Sequence, residues 1–121
     1  MARVFTLPEA KALMPEVRRL TTPAFDLAMG LAEDLEAAEA GGREADAEAL
    51  RERIQLLVEA WAEGMRDLGA EVKGLWLVDF DSGDGYWCWA HPEDELDHWH
   101  TYEGGFRARV PASQRPVPAG S

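Results

Sequence analysis

The sequence predicts an α+β domain, with a long antiparallel helical hairpin packed with a small antiparallel β-hairpin or three-stranded sheet. Three observations carry this reading. Apolar residues recur at helical spacing through the first two-thirds of the chain, and a Gly41-Gly42 pair divides that stretch in two. Beyond Gly69 the pattern changes to short aromatic and β-branched runs separated by turn residues. With 121 residues the chain can bury one modest core, so a single domain over 1–111 is expected, followed by a tail over 112–121.

The first helix has a clear start. Thr6 can accept from the backbone of Glu9 while Glu9 reaches back to Thr6, a capping box, and Pro8 falls in the first turn where its missing N–H costs little. Leu13, Val17, Leu20, Ala24, Leu27, Leu31, Leu35 and Ala38 then form one apolar stripe, with the acids off it. Pro15 and Pro23 each remove a backbone donor and crowd the preceding turn, which predicts a break or kink before them and a main helix over 23–40. After the glycine pair a second helix starts near Glu44. Its stripe is Ala47, Leu50, Ile54, Leu57, Trp61, Met65 and Leu68, and Gly69 serves as the C-cap. Trp61 and Met65 read as core. The short connection makes the two helices antiparallel neighbours. Phe25, Met29, Leu56 and Val58 then need a cover, and a homodimer through the hairpin, giving a four-helix bundle, supplies it.

LWLVDF (75–80) and YWCWAH (86–91) read as two strands joined by DSGDG. Alternation places Tyr86, Cys88 and Ala90 on one face and Trp87, Trp89 and His91 on the other. GFRARV (105–110) can add a third strand. The proline-rich end, PASQRPVPAGS, reads as disordered or loosely draped.

Charge narrows the partners. The formal net charge is -11, so the clustered Lys and Arg that phosphate backbones or anionic membranes select are missing, and neither nucleic acid nor a membrane is expected. The single Cys excludes an intrachain disulfide and fits a reducing compartment. MARVFTLPEA lacks the pattern of a signal peptide, and no apolar run approaches the roughly 20 residues that span a bilayer. A cytoplasmic location is expected.

The chemistry concentrates in WCWAHPEDELDHWH, residues 87–100. Three of the five Trp, the single Cys and all three His fall within these fourteen residues. No Lys or Arg occurs between Lys73 and Arg107, whereas that interval holds eight carboxylates. Acids and imidazoles without bases attract cations. His91-x-Glu93 and His98-x-His100 each put two donors on one side of an extended chain, so Glu93, His100, His91 and His98 are candidate ligands for Zn, Mn, Fe or Ni. The alternative is that the His are hydrogen-bonded residues beside Trp and the acids are solvated turn residues. Cys88, with no base beside it in sequence, reads as a small buried hydrophobe. Asp81, Asp84 and Gly85 read as turn chemistry. Asp79 ends an apolar strand and needs water or a partner.

The chain resembles the family of small prokaryotic proteins known as domain of unknown function 2203. The matching pieces are F-T-L-P-E-A with Leu13 and Pro15, V-K at 72–73, L-V-D-F at 77–80, C-W at 88–89, Glu93, W-H at 99–100, G-F at 105–106, and Arg109. Pro92 stands where that family tends to have Gly, and Pro23 inside the long helix is unusual for it. The resemblance implies a fold and a shared polar set of Asp79, Glu93, His100 and Arg109, with His91 and His98 outside it. It implies no activity. These residues, walled by Trp89, Trp99 and Phe106 at the sheet–helix junction, form a candidate site for a small ligand or divalent metal. Two alternatives stand: a homodimeric scaffold in which the Trp/His cluster is structural, and a hydrolase-like enzyme using Glu93 and His100 as acid and base. No nucleotide loop, HExxH or GxSxG is present.

Overall fold

The computed structural model describes residues 3 to 116. Helix α1 (Leu7–Ala40) and helix α2 (Glu44–Asp67) form the hairpin. Strands β1 (Glu71–Gly74), β2 (Leu77–Asp81), β3 (Tyr86–Ala90), β4 (His98–His100) and β5 (Val110–Pro111) form one antiparallel sheet in the order β1-β2-β3-β4-β5. The capping box is present: Glu9 N donates to Thr6 Oγ1 at 3.2 Å and Thr6 N to Glu9 Oε1 at 2.8 Å.

Neither internal proline breaks α1, which runs through both for 34 residues, roughly 51 Å at about 1.5 Å per residue. The expected break fails for a geometric reason. Pro15 and Pro23 lie on the exposed side, as do Lys11 and Arg19, whose carbonyls lose their helical partners, so the lost bonds fall on the solvent side of the helix. On the opposite side Ala10, Met14, Val17 and Thr21 are fully packed, and that burial holds the helix together across both sites. Inside the hairpin, Trp61 Nε1 donates to Thr21 Oγ1 at 2.8 Å, a buried polar contact between the two helices.

Gly69 ends α2 at φ +93°, and a Cβ there would meet the Phe5 ring. Both the backbone angle and the close approach therefore require glycine. The chain then enters β1, a strand the apolar pattern did not mark because Val72 is its one β-branched residue. Leu75 and Trp76 form the tight turn into β2. Trp76 takes a left-handed φ of 63° to do so, fixed by edge contacts with Trp61 at 4.9 Å and Phe25 at 5.8 Å.

The sheet has five strands, and the third expected strand is only partly formed. Phe106–Ala108 is a 3-10 turn, so β5 holds Val110–Pro111 alone and pairs with β4, which lies inside the stretch expected to be a connection. Residues 112–115 do not hang free. Ala112 is buried, its N–H donates to Asp97 O at 2.8 Å, and Arg115 grips Asp84 at 2.8 and 3.2 Å. The rest of the expected tail, 117–121, lies outside the described residues.

Pleating separates the two faces of the sheet. Val78, Phe80, Trp87, Trp89 and Trp99 face the helices and join Phe5, Met14, Val17, Trp61 and Met65 in one core. Asp79, Tyr86, Cys88, His98 and His100 alternate with them and face the other way. Among the described residues no helix is long and apolar enough to cross a membrane.

Replacing Thr21 by Val keeps the shape of this position but leaves the Trp61 N–H buried without an acceptor. The expected loss is about 1–3 kcal/mol, read as a lower urea midpoint at unchanged slope.

Candidate functional site

The helix-distant face of the sheet carries the polar cluster. Asp79 in β2 pairs with Cys88 in β3, and Cys88 with His98 in β4, so three adjacent strands bring their polar residues into one row. One pair further along, Tyr86 lies opposite His100. Tyr102, Gly105 and Phe106, from the segment that follows β4, line the space beside this row.

His100 and Asp79 form the centre of the row, at 3% and 1% exposure. His100 Nε2 stands 2.9 Å from Asp79 Oδ2, and Nδ1 stands 2.7 Å from the Thr101 carbonyl. A carbonyl only accepts, so Nδ1 carries a hydrogen. A second hydrogen must then lie between Nε2 and Oδ2, because two lone pairs at that distance would repel. The pair therefore holds one proton in common and has no net charge, the form that burial favours. Burial pushes the Asp79 carboxyl up, and the opposing pulls from the Cys88 thiol, His100 and Lys73 do not cancel it. Among the described residues, Asp79 Oδ1 is buried with no hydrogen-bond partner. Cys88 is itself fully buried, and burial together with the nearby carboxyl pushes its thiol up.

Next to this pair is a cavity of about 280 Å³, lined by Lys73, Leu77, Asp79, Tyr86, His100, Tyr102, Gly105 and Phe106. Tyr86 and Tyr102 meet edge to face at 5.1 Å, and the Tyr86 and His100 rings are 5.5 Å apart. Lys73 lies over Tyr86, 4.3 Å from its ring centre, and holds Glu71 at 3.1 Å. Tyr102 is fixed by donating to Asp81 Oδ1 at 2.7 Å.

Glu93 and Arg109 form a second node at the other end of the row. Glu93 follows the turn after β3, and despite Pro92 its Oε1 returns to accept from Ala90 N at 2.8 Å and from Arg109 at 2.9 Å. Burial alone would raise this carboxyl, but the guanidinium and the Ala90 N–H outweigh it and hold Glu93 below the usual range. Arg109 is also near enough to Cys88 to oppose, in part, the rise of its thiol, so its charge acts on both nodes. His98 Nδ1 is 3.7 Å from Glu93 Oε2, beyond hydrogen-bond range.

The expected residues thus fall into three groups. Asp79 and His100 touch, and Glu93 and Arg109 touch. Trp89 and Trp99 do not wall the site: both belong to the core on the helix side, with their indole N–H groups bound to Glu93 O and Ser82 Oγ. The walls are Tyr86, Tyr102, Leu77 and the expected Phe106, and the cluster is on the outer face rather than at the sheet–helix junction. His91 also sits on the helix side, against Phe25 and Trp89, so Glu93, His91, His98 and His100 do not form one ligand set. Among the described residues, the three ligand-type side chains that converge are Asp79, Cys88 and His100, with one donor atom of each within 4.8 Å of the others. Cys88, Lys73, Tyr86 and Tyr102 were not read as site residues from the sequence. The pairing of LVDF against YWCW places Asp79 opposite Cys88, and that register was the available signal.

The family model for an uncharacterized conserved protein, DUF2203, matches residues 3–112. The chain belongs to this family. No curated protein and no solved structure matches it. The DUF2203 match runs from Arg3 to Ala112, so it takes in both helices, all five strands and every residue of the polar row.

A pH dependence follows from Asp79. The folded chain keeps this proton at pH values where the unfolded chain has released it. The stability it contributes is whole below the ordinary carboxylate value and is lost as pH rises through the raised one. Urea midpoints from about pH 4 to about pH 8 should fall for the parent chain and fall less for Asp79→Asn, which does not titrate. Equal slopes in the two proteins would contradict the raised value.

Proposed function

We propose that this protein binds a small molecule in the cavity on the outer sheet face, with the Asp79–His100 pair as its polar floor. One observation carries the reading: a buried carboxylate oxygen, Asp79 Oδ1, has no partner among the described residues and belongs to a residue lining a cavity of about 280 Å³. An unpartnered buried acceptor costs about 1–3 kcal/mol, which a ligand donor would recover. The lining then describes the ligand. Tyr86, Tyr102, Phe106 and Leu77 favour a flat apolar body, Asp79 Oδ1 asks for an N–H or O–H at its inner end, and Lys73 at the rim favours an anionic group. A small hydroxylated or nitrogen-bearing aromatic acid has this form.

The acid–base alternative fits less well. Both nitrogens of His100 are committed, to Asp79 and to the Thr101 carbonyl, and Glu93 is paired with Arg109 in the other node, so the two are not set as acid and base around one substrate. A purely structural cluster would leave Oδ1 without an explanation. Homodimerisation through the hairpin is a separate reading, compatible with binding. It is supported by Leu27, Met29 and Leu56, each at least half exposed in the hairpin. Leu31, by contrast, is buried within the monomer, so Leu27→Glu with Leu56→Glu is the informative pair. Light scattering should give a dimer for the parent chain and a folded monomer for this variant; a monomeric parent across micromolar concentrations refutes the dimer.

The binding test uses 4-hydroxybenzoate, followed by titration of backbone amide shifts. At roughly 0.5 kcal/mol per non-hydrogen atom and about ten such atoms, the dissociation constant should be on the order of 0.1 mM. Benzoate, which lacks the donor, should bind about tenfold more weakly, and Lys73→Met should weaken both. Amides of Asp79, Tyr86 and His100 that do not move at millimolar ligand would refute the reading.

A further inference from the structure

We propose that Asp79, Cys88 and His100 together hold a divalent cation of borderline softness, Zn²⁺ in the first place, with one coordination position facing the cavity. This deepens the binding reading above and rests on the same outer-face cavity. The trio draws one residue from each of three adjacent strands, and one donor atom of each lies within 4.8 Å of the others. All three side chains are almost fully buried.

The second, independent observation is Asp79 Oδ1, which is buried and unpartnered in a residue that lines the cavity. Burial without a partner is costly for an oxygen that is only structural, and a cation bound through Oδ2, with Oδ1 of the same carboxylate in the longer contact, lowers that cost. His100 is already oriented as a ligand. Its Nδ1–H donates to the Thr101 carbonyl, the backbone contact that commonly fixes a metal-binding imidazole and directs Nε2 at the ion. The donor set of one carboxylate, one thiolate and one imidazole excludes the hard cations Mg²⁺ and Ca²⁺, which take oxygen, and suits Zn²⁺ or Co²⁺.

The distances permit this with small movements. Bonds of about 2.0–2.1 Å to N and O and about 2.3 Å to S give tetrahedral edges of roughly 3.3–3.6 Å. Asp79 Oδ2 and His100 Nε2, at 2.9 Å, would part by a few tenths of an ångström, and the thiol would close by at most about 1.2 Å. Charge also balances. The Asp79–His100 pair gives up its shared proton and Cys88 gives up its thiol proton, so one Zn²⁺ enters, two protons leave, and the buried site stays neutral. Arg109, which Glu93 holds beside Cys88, is placed to support the thiolate.

This ligand set differs from the one read from the sequence. It includes Cys88 and Asp79 and leaves out Glu93, His91 and His98, and the test uses that difference. The purified full chain is freed of metal with a chelator, checked for its fold by circular dichroism, and titrated with Co²⁺ and then Zn²⁺. The expected result is one Co²⁺ per chain, with visible absorption of a tetrahedral site and a near-ultraviolet thiolate-to-metal charge-transfer band, both lost when Zn²⁺ displaces it. Unbuffered titration should release two protons per Zn²⁺. Cys88→Ser should abolish the charge-transfer band and weaken Co²⁺ binding roughly tenfold or more, while the double variant His91→Ala with His98→Ala should keep band and affinity. A folded parent chain that takes up no Co²⁺, or a charge-transfer band that survives Cys88→Ser, overturns the proposal. If the metal-free chain binds 4-hydroxybenzoate and takes no Co²⁺, the metal proposal fails and the small-molecule reading stands. If it takes Co²⁺ with the expected band and binds no 4-hydroxybenzoate with or without metal, the metal proposal is supported and the small-molecule reading fails.

Discussion

The register of β2, β3 and β4 is the constraint on which the rest of the molecule depends. Side chains in a strand alternate, so the pairing that sends Val78, Phe80, Trp87, Trp89 and Trp99 toward the helices must send Asp79, Cys88 and His100 away from them. A slip of one residue would put the carboxylate and imidazole into the core and the indoles into water, a cost no local rearrangement could offset. The indoles are thus indirect determinants of the site. They fix its register from behind the sheet, and the N–H of Trp87 further ties β3 to Phe5 O at 2.9 Å, so the start of α1 and the sheet are held as one unit.

The charge pattern of the C-terminal third follows from the same architecture. Residues 74–106 carry acids and no Lys or Arg, yet the half-buried or buried acids all have partners. Asp79 has His100, Asp81 has Tyr102 and the Gly83 N–H, Asp84 has Arg115, and Glu93 has Arg109. All but one of these partners come from residues 100–115, the segment that crosses the outer face and returns along the sheet edge. The acids that find no base, Asp94, Glu95, Asp97 and Glu103, are exposed, where water serves them. The 100–115 segment therefore supplies the counter-charges and donors of the acidic strands, and Arg115 is held against them through Asp84.

Gly85 shows how tight that packing is. A side chain there would run into the His100 carbonyl and the Trp99 ring, so the turn before β3 passes against β4 with no room for a Cβ. Tyr86, next in sequence, then lies opposite His100 and becomes a wall of the cavity.

The sequence by itself determined the helical hairpin, its capping box, the Gly41-Gly42 connection, the β2–β3 hairpin and the division of its two faces. Each of these is local, written in spacing, alternation or turn residues within about a dozen positions of one another. It also marked Asp79, Glu93, His100 and Arg109, through the odd acid on an apolar strand and the family pattern. Tertiary structure alone decided how they pair. Local spacing linked Glu93 to the nearest imidazoles, but strand pairing carries His100 to Asp79, 21 residues away, and gives Glu93 to Arg109, 16 residues away. It also let α1 run through Pro15 and Pro23, because only the position of the core shows that both face water. Cys88 went the same way. With no base beside it in the chain it read as a plain hydrophobe, and only the sheet brings it between Asp79 and Arg109.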